Sequence, residues 1–171
     1  MTDNQDKMRK SLEDLHNDAW RWNLNCCAGN RDLSMDVLHD VYVKILAGRA
    51  RFHGRSSLRT WLFGVIRLTA LSQRRKSRLA SLLFVPIENG LQARPIPREE
   101  NDRHCSDLVR TAIESLSPKQ PEILKLVFYH DLTVEEAAGV QRVSLGTARQ
   151  HYARGKRHLR RLLAREGIAQ P

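Results

Sequence analysis

From about Ser77 to Asn101 the apolar residues of this chain lose their period, and Pro86, Asn89, Gly90, Pro95 and Pro97 interrupt any helix across the stretch. On either side, apolar residues recur at steps of three and four, and no period-two alternation runs for a useful length. The chain is therefore expected to be all-α, as two small helical domains joined by a flexible linker. The boundaries fall at residues 1–78, 79–105 and 106–171. At 171 residues in total, each domain has only a modest core.

In the first part, Leu12, Leu15, Ala19 and Trp22 have helical spacing. Over residues 34–47, Leu38, Val41, Tyr42, Ile45 and Leu46 make a wide apolar stripe, with Asp36, His39, Asp40 and Lys44 outside it and Ser34 as the expected cap. A basic loop follows, Gly48 to Arg55, whose two glycines mark breaks. Ser56 or Ser57 then caps another helix, with Leu58, Trp61, Leu62, Val65 and Ile66 facing inward and Arg59, Arg67, Arg74 and Arg75 outward. About three helices make this domain.

The second part begins near Ser106 and continues through Leu108, Ala112 and Leu116. Ser117-Pro118-Lys119-Gln120 is a helix start signal, and a first turn tolerates the amide that Pro121 removes. Ile123, Leu124, Val127 and Phe128 supply a core stripe that ends at His130-Asp131. Thr133-Val134-Glu135-Glu136 has the form of a capping box opening a short helix through Ala137, Ala138 and Val140. After a break at Gln141-Arg142-Val143, Ser144 caps the last helix. In it Leu145, Ala148, Tyr152, Gly155, Leu159 and Leu162 form the apolar stripe, while Arg149, Gln150, Arg154, Arg157 and Arg161 point elsewhere. Two helices joined by a short turn, the second basic, predict a helix-turn-helix whose second helix enters the DNA major groove.

Charge agrees with that partner. There are 29 Lys+Arg against 19 Asp+Glu, a formal +10, and the excess clusters at Arg74–Arg78 and Arg149–Arg165. No segment approaches the ~20 apolar residues of a membrane span, and the first residues lack a signal-peptide core, so a cytoplasmic protein without direct membrane insertion is expected. Cys26, Cys27 and Cys105 form no C-x-x-C pair, and with His104 they make only a weak metal-site pattern. We read them as ordinary reduced, partly buried thiols, with no metal and no cofactor. Asp36, His39, Asp40 and Cys105 have no ligand spacing, and there is no Gly-rich phosphate loop or nucleophile motif, so no enzyme is expected. One alternative is a stand-alone helix-turn-helix repressor or activator, needing only residues 106–165 and dimerising on a palindromic site.

The order of the parts is informative. DVLHDVYVKIL (36–46), F-x-G-x-SSLRTWLF (52–63), a linker, SLSPKQPEILKL and EEAAGVQRVSLGTARQHYARGKRHLR together resemble a bacterial RNA polymerase sigma factor of the sigma-70 family. More narrowly they resemble the extracytoplasmic-function (ECF) group, which keeps only regions 2 and 4.

The resemblance implies a role for each matching position. Asp36, His39, Asp40 and Tyr42 fall where the family helix docks on the clamp helices of the largest polymerase subunit, with His39 in place of the usual Gln and Asp40 in place of the usual Glu. Residues 52–75 match the part that recognises and melts the minus-ten element. Phe52, His53, Gly54, Arg55, Ser56 and Ser57 would form a pocket for an extruded base, and Arg59, Arg67, Arg74 and Arg75 would line a phosphate groove. Trp61 falls in the apolar stripe and is read as core. Leu68 and Ser72 replace the Asn and Asp frequent in the family. Residues 133–157 match the reader of the minus-thirty-five element. There Ser144, Gly146, Thr147, Arg149 and Gln150 lie near the start of the recognition helix. Arg149 suits a guanine edge and Gln150 an adenine edge, each worth ~1–3 kcal/mol of discrimination. Arg154 and Arg157 suit phosphates. The implied partners are core RNA polymerase, promoter DNA and an anti-sigma factor, membrane-anchored forms included.

Overall fold

The computed structural model describes residues 2–83, 116 and 119–165. The elements are α1 (Thr2–Asp14), α2 (His16–Cys26), α3 (Arg31–Leu46), α4 (Leu58–Leu83), α5 (Lys119–Phe128), α6 (Val134–Gln141) and α7 (Leu145–Arg165), with no strand among the described residues. The chain divides into two compact units, Met1–Arg94 and Pro95–Pro171.

The first unit has four helices where the sequence suggested about three. Residues before Leu12 are too polar to show a stripe, yet they are helical, and only Leu15 (φ −89°, ψ 0°) separates α1 from α2. The core lies between α2, α3 and α4, where Ala19, Trp22, Val37, Val41, Leu62, Phe63 and Ile66 are at most 1% exposed. Trp22 stacks on Phe63 with centroids 5.6 Å apart, and its indole N–H donates to the Phe63 carbonyl at 3.0 Å. That bond satisfies the one polar atom of a buried tryptophan.

The start of α3 differs from expectation. Asn30, not Ser34, is the cap: its side chain accepts from the Leu33 amide at 2.9 Å, and the helix begins at Arg31. Ser34 lies one turn inside and is buried. Its hydroxyl donates back to the Asn30 carbonyl at 2.6 Å, and its own carbonyl accepts from the buried Asn23 amide. At α4 the Ser57 hydroxyl accepts from the Thr60 amide at 3.2 Å, as the second of the two expected caps. The helix runs on to Leu83, past the boundary expected at 78, because no glycine or proline occurs between Val65 and Leu83. The rest of the expected linker, to residue 105, and the start of the second part near Ser106 lie outside the described residues, apart from the buried Leu116.

In the second unit, α5 carries Pro121 in its first turn. Its buried residues are Ile123, Leu124 and Leu126, whereas Val127 is half-buried and Phe128 is 56% exposed. Both α6 and α7 pack on this short helix, which widens the buried arc toward Leu126 and leaves Phe128 at the rim. Phe128 stacks there on Tyr152, 6.0 Å between centroids. Gly155 explains how closely α7 approaches α5. A Cβ at this position would lie 2.9 Å from Leu124 Cδ1 and 3.5 Å from Gln120 Cβ.

Candidate nucleic-acid interface

Local hydrogen bonds fix the angle between α6 and α7. Thr133 Oγ1 accepts from the Glu136 amide at 3.1 Å, and the Glu136 carboxylate accepts from the Thr133 amide at 3.0 Å, so the capping box is complete. At the other end Val143 N–H donates to the Ala138 carbonyl at 3.1 Å and Arg142 N–H to Gly139 at 3.3 Å. That pair is a Schellman closure, which requires a left-handed residue. Arg142 occupies it at φ 54°, ψ 49°. Gln141, read from the sequence as part of the turn, is instead the last residue of α6; it is buried and donates to the Lys119 carbonyl at 3.1 Å. Ser144 then caps α7, accepting from the Thr147 amide at 3.1 Å.

The turn sets the outward face of α7. Leu145, Ala148, Tyr152, Gly155, Leu159 and Leu162 are buried or half-buried, whereas Arg149, Gln150, Arg154, Arg157 and Arg161 are all exposed. Gly146, Gln150, Arg154, Arg157 and Arg161 follow one line along the helix. Thr147 flanks its start on one side, sharing a hydrogen bond of 2.9 Å with the Ser144 hydroxyl. Arg149 flanks the other. The N-terminal turn is thus polar and slender enough for base edges, and the following turns are cationic.

In the first unit the loop after α3 turns at Gly48 and Gly54, each at φ 69°. Phe52 is half-buried against Trp61, 5.4 Å between centroids, so this aromatic pair fastens the loop to α4. His53, Arg55, Ser56 and Ser57 remain exposed. The four arginines expected to line a groove fall into different surroundings. Arg59 Nη2 lies 2.9 Å from the Asp18 carboxylate, and its guanidinium sits 5.5 Å above the Phe63 ring, so it ties α2 to α4. Arg67 is half-buried. Arg74 and Arg75 are exposed, with Arg74 donating to the Cys26 carbonyl at 3.4 Å. Beside them Leu68, Leu71, Ser72, Arg75 and Lys76 line an open hollow of about 290 Å³.

On α3, Asp36 and His39 are exposed, while Asp40 and Tyr42 are half-buried. Lys44 Nζ donates to the Asp40 carboxylate at 3.0 Å, and this bond, helped by one from Gln73, holds the Asp40 pKa below its usual value. Tyr42 meets His16 Nδ1 at 3.0 Å, and burial pushes its phenol pKa up. The sequence reading missed two neighbours on this helix, Met35 and Val43, which are 62% and 38% exposed, and it placed Leu46 in the apolar stripe, where Leu46 lies at the edge and is 45% exposed. The signal was present, since Met35, His39 and Val43 follow one line outside the expected stripe, and Leu46 continues that line at the stripe's edge.

Cys26 is half-buried and Cys27 buried, with burial raising the Cys27 thiol pKa. Among the described residues no three His, Cys, Asp or Glu side chains gather as a metal site, and no helix is long and apolar enough to cross a membrane. His104 and Cys105 lie outside the described residues.

Comparison with known proteins covers both units. Residues 9–79 match the family Sigma-70 region 2, and residues 106–159 match Sigma-70, region 4. The chain is 26% identical over 161 residues to the RNA polymerase sigma factor YlaC of Bacillus subtilis, covering 91% of this chain and 93% of that protein. It is 27% identical over 142 residues to the ECF RNA polymerase sigma factor EcfG of Rhodopseudomonas palustris, covering 82% of this chain and 76% of the relative. In fold it is similar to the sigma factor RpoE of Bartonella quintana, solved with the anti-sigma factor NepR. The TM-score is 0.69 at 21% identity, covering 92% of this chain and 97% of the other.

Proposed function

The chain belongs to the sigma-70 family, in its extracytoplasmic-function group, as an alternative sigma factor that binds core RNA polymerase and directs promoter-specific initiation, and we propose how its residues divide that work. The first unit holds the minus-ten strand and the polymerase clamp. Asp36, His39, Asp40 and Tyr42 meet the polymerase. The loop residues Phe52, His53, Arg55, Ser56 and Ser57 form the rim for an extruded base. Arg67, Arg74 and Arg75 hold phosphates, while Arg59 acts mainly as a tie between helices, since its charge is already met by Asp18. The second unit anchors the minus-thirty-five duplex. Gly146, Thr147, Arg149 and Gln150 sit at the base edges, and Ser144, Arg154 and Arg157 at phosphates.

The chain contributes no bond-making chemistry; it selects and holds DNA while the polymerase catalyses. It works in the cytoplasm, where that enzyme is. An anti-sigma factor that covers one of these faces keeps it silent, a reading supported by the similar fold of RpoE from Bartonella quintana, which was solved with the anti-sigma factor NepR.

The observation that carries the division is the exposed cationic line of α7 behind a fully bonded capping box, on a chain whose other half matches region 2. A stand-alone repressor has no use for that other half. The test is transcription reconstituted from core polymerase and the full chain on genomic fragments, with start sites sequenced. Starts preceded by two shared elements are expected, and Gln150→Ala should relax selection within the upstream one by ~1–3 kcal/mol at a single position. Unchanged selection in that variant would refute the placement of α7.

A further inference from the structure

Between α1 and α3 lies a second hollow, of about 370 Å³, whose cavity plays no part in the roles assigned above. Arg9, Leu12 and Glu13 of α1 and His16 at the start of α2 line one wall, and Tyr42 and Leu46, one turn apart on α3, line the other. Its lining is apolar where it is deepest: Leu12 is 5% exposed and Tyr42 is half-buried, with Leu46 at the side. The polar groups around it are satisfied in pairs. The Arg9 guanidinium and the Glu13 carboxylate lie 3.3 Å apart, and His16 Nδ1 and the Tyr42 hydroxyl 3.0 Å apart. The His16 and Tyr42 rings, 6.0 Å between centroids, are tilted by 38°, which suits a flat ring stacked on one and meeting the other edge-on.

We propose that this hollow binds a small, neutral aromatic molecule of about bicyclic size, seated on Leu12, Tyr42 and Leu46 with one hydrogen-bond donor on the Tyr42 oxygen. The size follows from the volume, which is at the small end of ligand pockets. Neutrality follows from the charges. Arg9 and Glu13 already answer each other, so an ionic ligand would give up its water without gaining a free counter-charge. The donor follows from the phenol: with its proton toward His16 Nδ1 it keeps an acceptor lone pair, whereas the leucines offer none. The aromatic class follows from the two rings, since an aliphatic molecule of the same size would cover the leucines but forgo the ring contacts. Tyr42 is also placed at the polymerase, so a molecule bound here acts on assembly with core; that consequence, but not the binding, rests on the reading of the first unit given above.

The experiment titrates the full-length chain with indole by calorimetry. Saturable binding with a Kd of about 1 mM or tighter is expected. It should be about five-fold tighter than that of 1-methylindole, which lacks the N–H, the equivalent of ~1 kcal/mol for one hydrogen bond. Tyr42→Phe keeps the ring and should make the two equal. Leu46→Trp, at an exposed position, fills the hollow and should remove binding of both, with helix content unchanged by circular dichroism. Indole-3-acetate, which is charged, and cyclooctanol, which is aliphatic, should bind more weakly than indole. The proposal is overturned if indole does not saturate, if binding survives Leu46→Trp, if the preference over 1-methylindole survives Tyr42→Phe, or if either of the last two ligands binds as tightly. Indole present while the chain assembles with core polymerase should lower initiation in the wild type and not in Leu46→Trp. Binding without that effect would overturn the placement of Tyr42 at the polymerase and leave the site as proposed.

Discussion

Gly155 is where the packing of the recognition helix can be weighed most directly. In Gly155→Ala, the new Cβ lies 2.9 Å from Leu124 Cδ1, 3.3 Å from Leu124 Cγ and 3.5 Å from Gln120 Cβ. Leu124 is only 3% exposed, so its tip has no solvent to swing into. Overpacking of this kind costs ~1–3 kcal/mol. Against it stands the ~1 kcal/mol by which alanine is the better helix former. The net expectation is a loss of ~0–2 kcal/mol. The sharper result is the change of sign when the obstacle is removed: in a Leu124→Ala background only the propensity remains, and Gly155→Ala should stabilise by ~1 kcal/mol. The coupling between the two positions is therefore ~1–3 kcal/mol. It is measured in the full-length chain by hydrogen exchange of α5–α7 amides, in sulfate, which strengthens burial and keeps the weakened unit folded. Trp20, Trp22 and Trp61 all lie in the first unit, so tryptophan emission serves as the unchanged control. If Gly155→Ala stabilises equally in both backgrounds, with coupling below ~0.5 kcal/mol, α7 does not approach α5 as described.

Three further expectations follow from the same bonds. Thr133→Ala removes the cap of α6 and should cost ~1 kcal/mol, read as faster exchange at the amides of α6; no change would show that the box is idle. Arg142→Gly relieves a left-handed residue whose cost is ~1–2 kcal/mol but gives the unfolded chain more freedom, ~0.5–1 kcal/mol, so a small net gain in stability is expected on urea titration. A loss would mean that the Arg142 side chain has a role in the turn. For Asp40, the bond from Lys44 depresses the folded pKa, so its contribution is complete above the unfolded value of about 3.9 and disappears as pH falls through the lower folded one. The Tm difference between the wild type and Asp40→Asn should therefore narrow on going from about pH 5 toward pH 2, and a constant difference would contradict the assignment.

What the sequence made legible is the chemistry that acts within one turn. The capping box at Thr133 and the cap at Ser144 are both patterns within four residues, and both form the bonds their letters imply. The apolar stripe of α7 is equally local, and Gly155 fits it because the position needs no side chain at all. Where two signals competed, only packing chose. Asn30 and Ser34 are both good cappers, and burial of Ser34 beneath Asn23 decided for Asn30. The first turns of α1 carry no stripe, so periodicity had nothing to register there. Leu126 and Phe128 exchanged places because the burial of α5 depends on two helices that follow it.

The same distinction governs the candidate interfaces. A count of arginines treats Arg59 and Arg75 alike, yet one is paired with a carboxylate and laid over Phe63 while the other stands exposed beside an apolar hollow. An exposed salt bridge adds little stability, but pairing removes much of a cation's attraction for a phosphate. Under the proposed division, the phosphate-holding side of α4 would therefore lie toward its later turns, at the exposed Arg74 and Arg75, and away from the first turn that faces α2. On α7 no such division arises, since its exposed arginines lie along one side of a helix whose other side is filled by α5 and α6. Sequence alone locates a basic face where the core stripe is unambiguous; where cations of one helix meet carboxylates of another, the assignment has to come from the tertiary contacts.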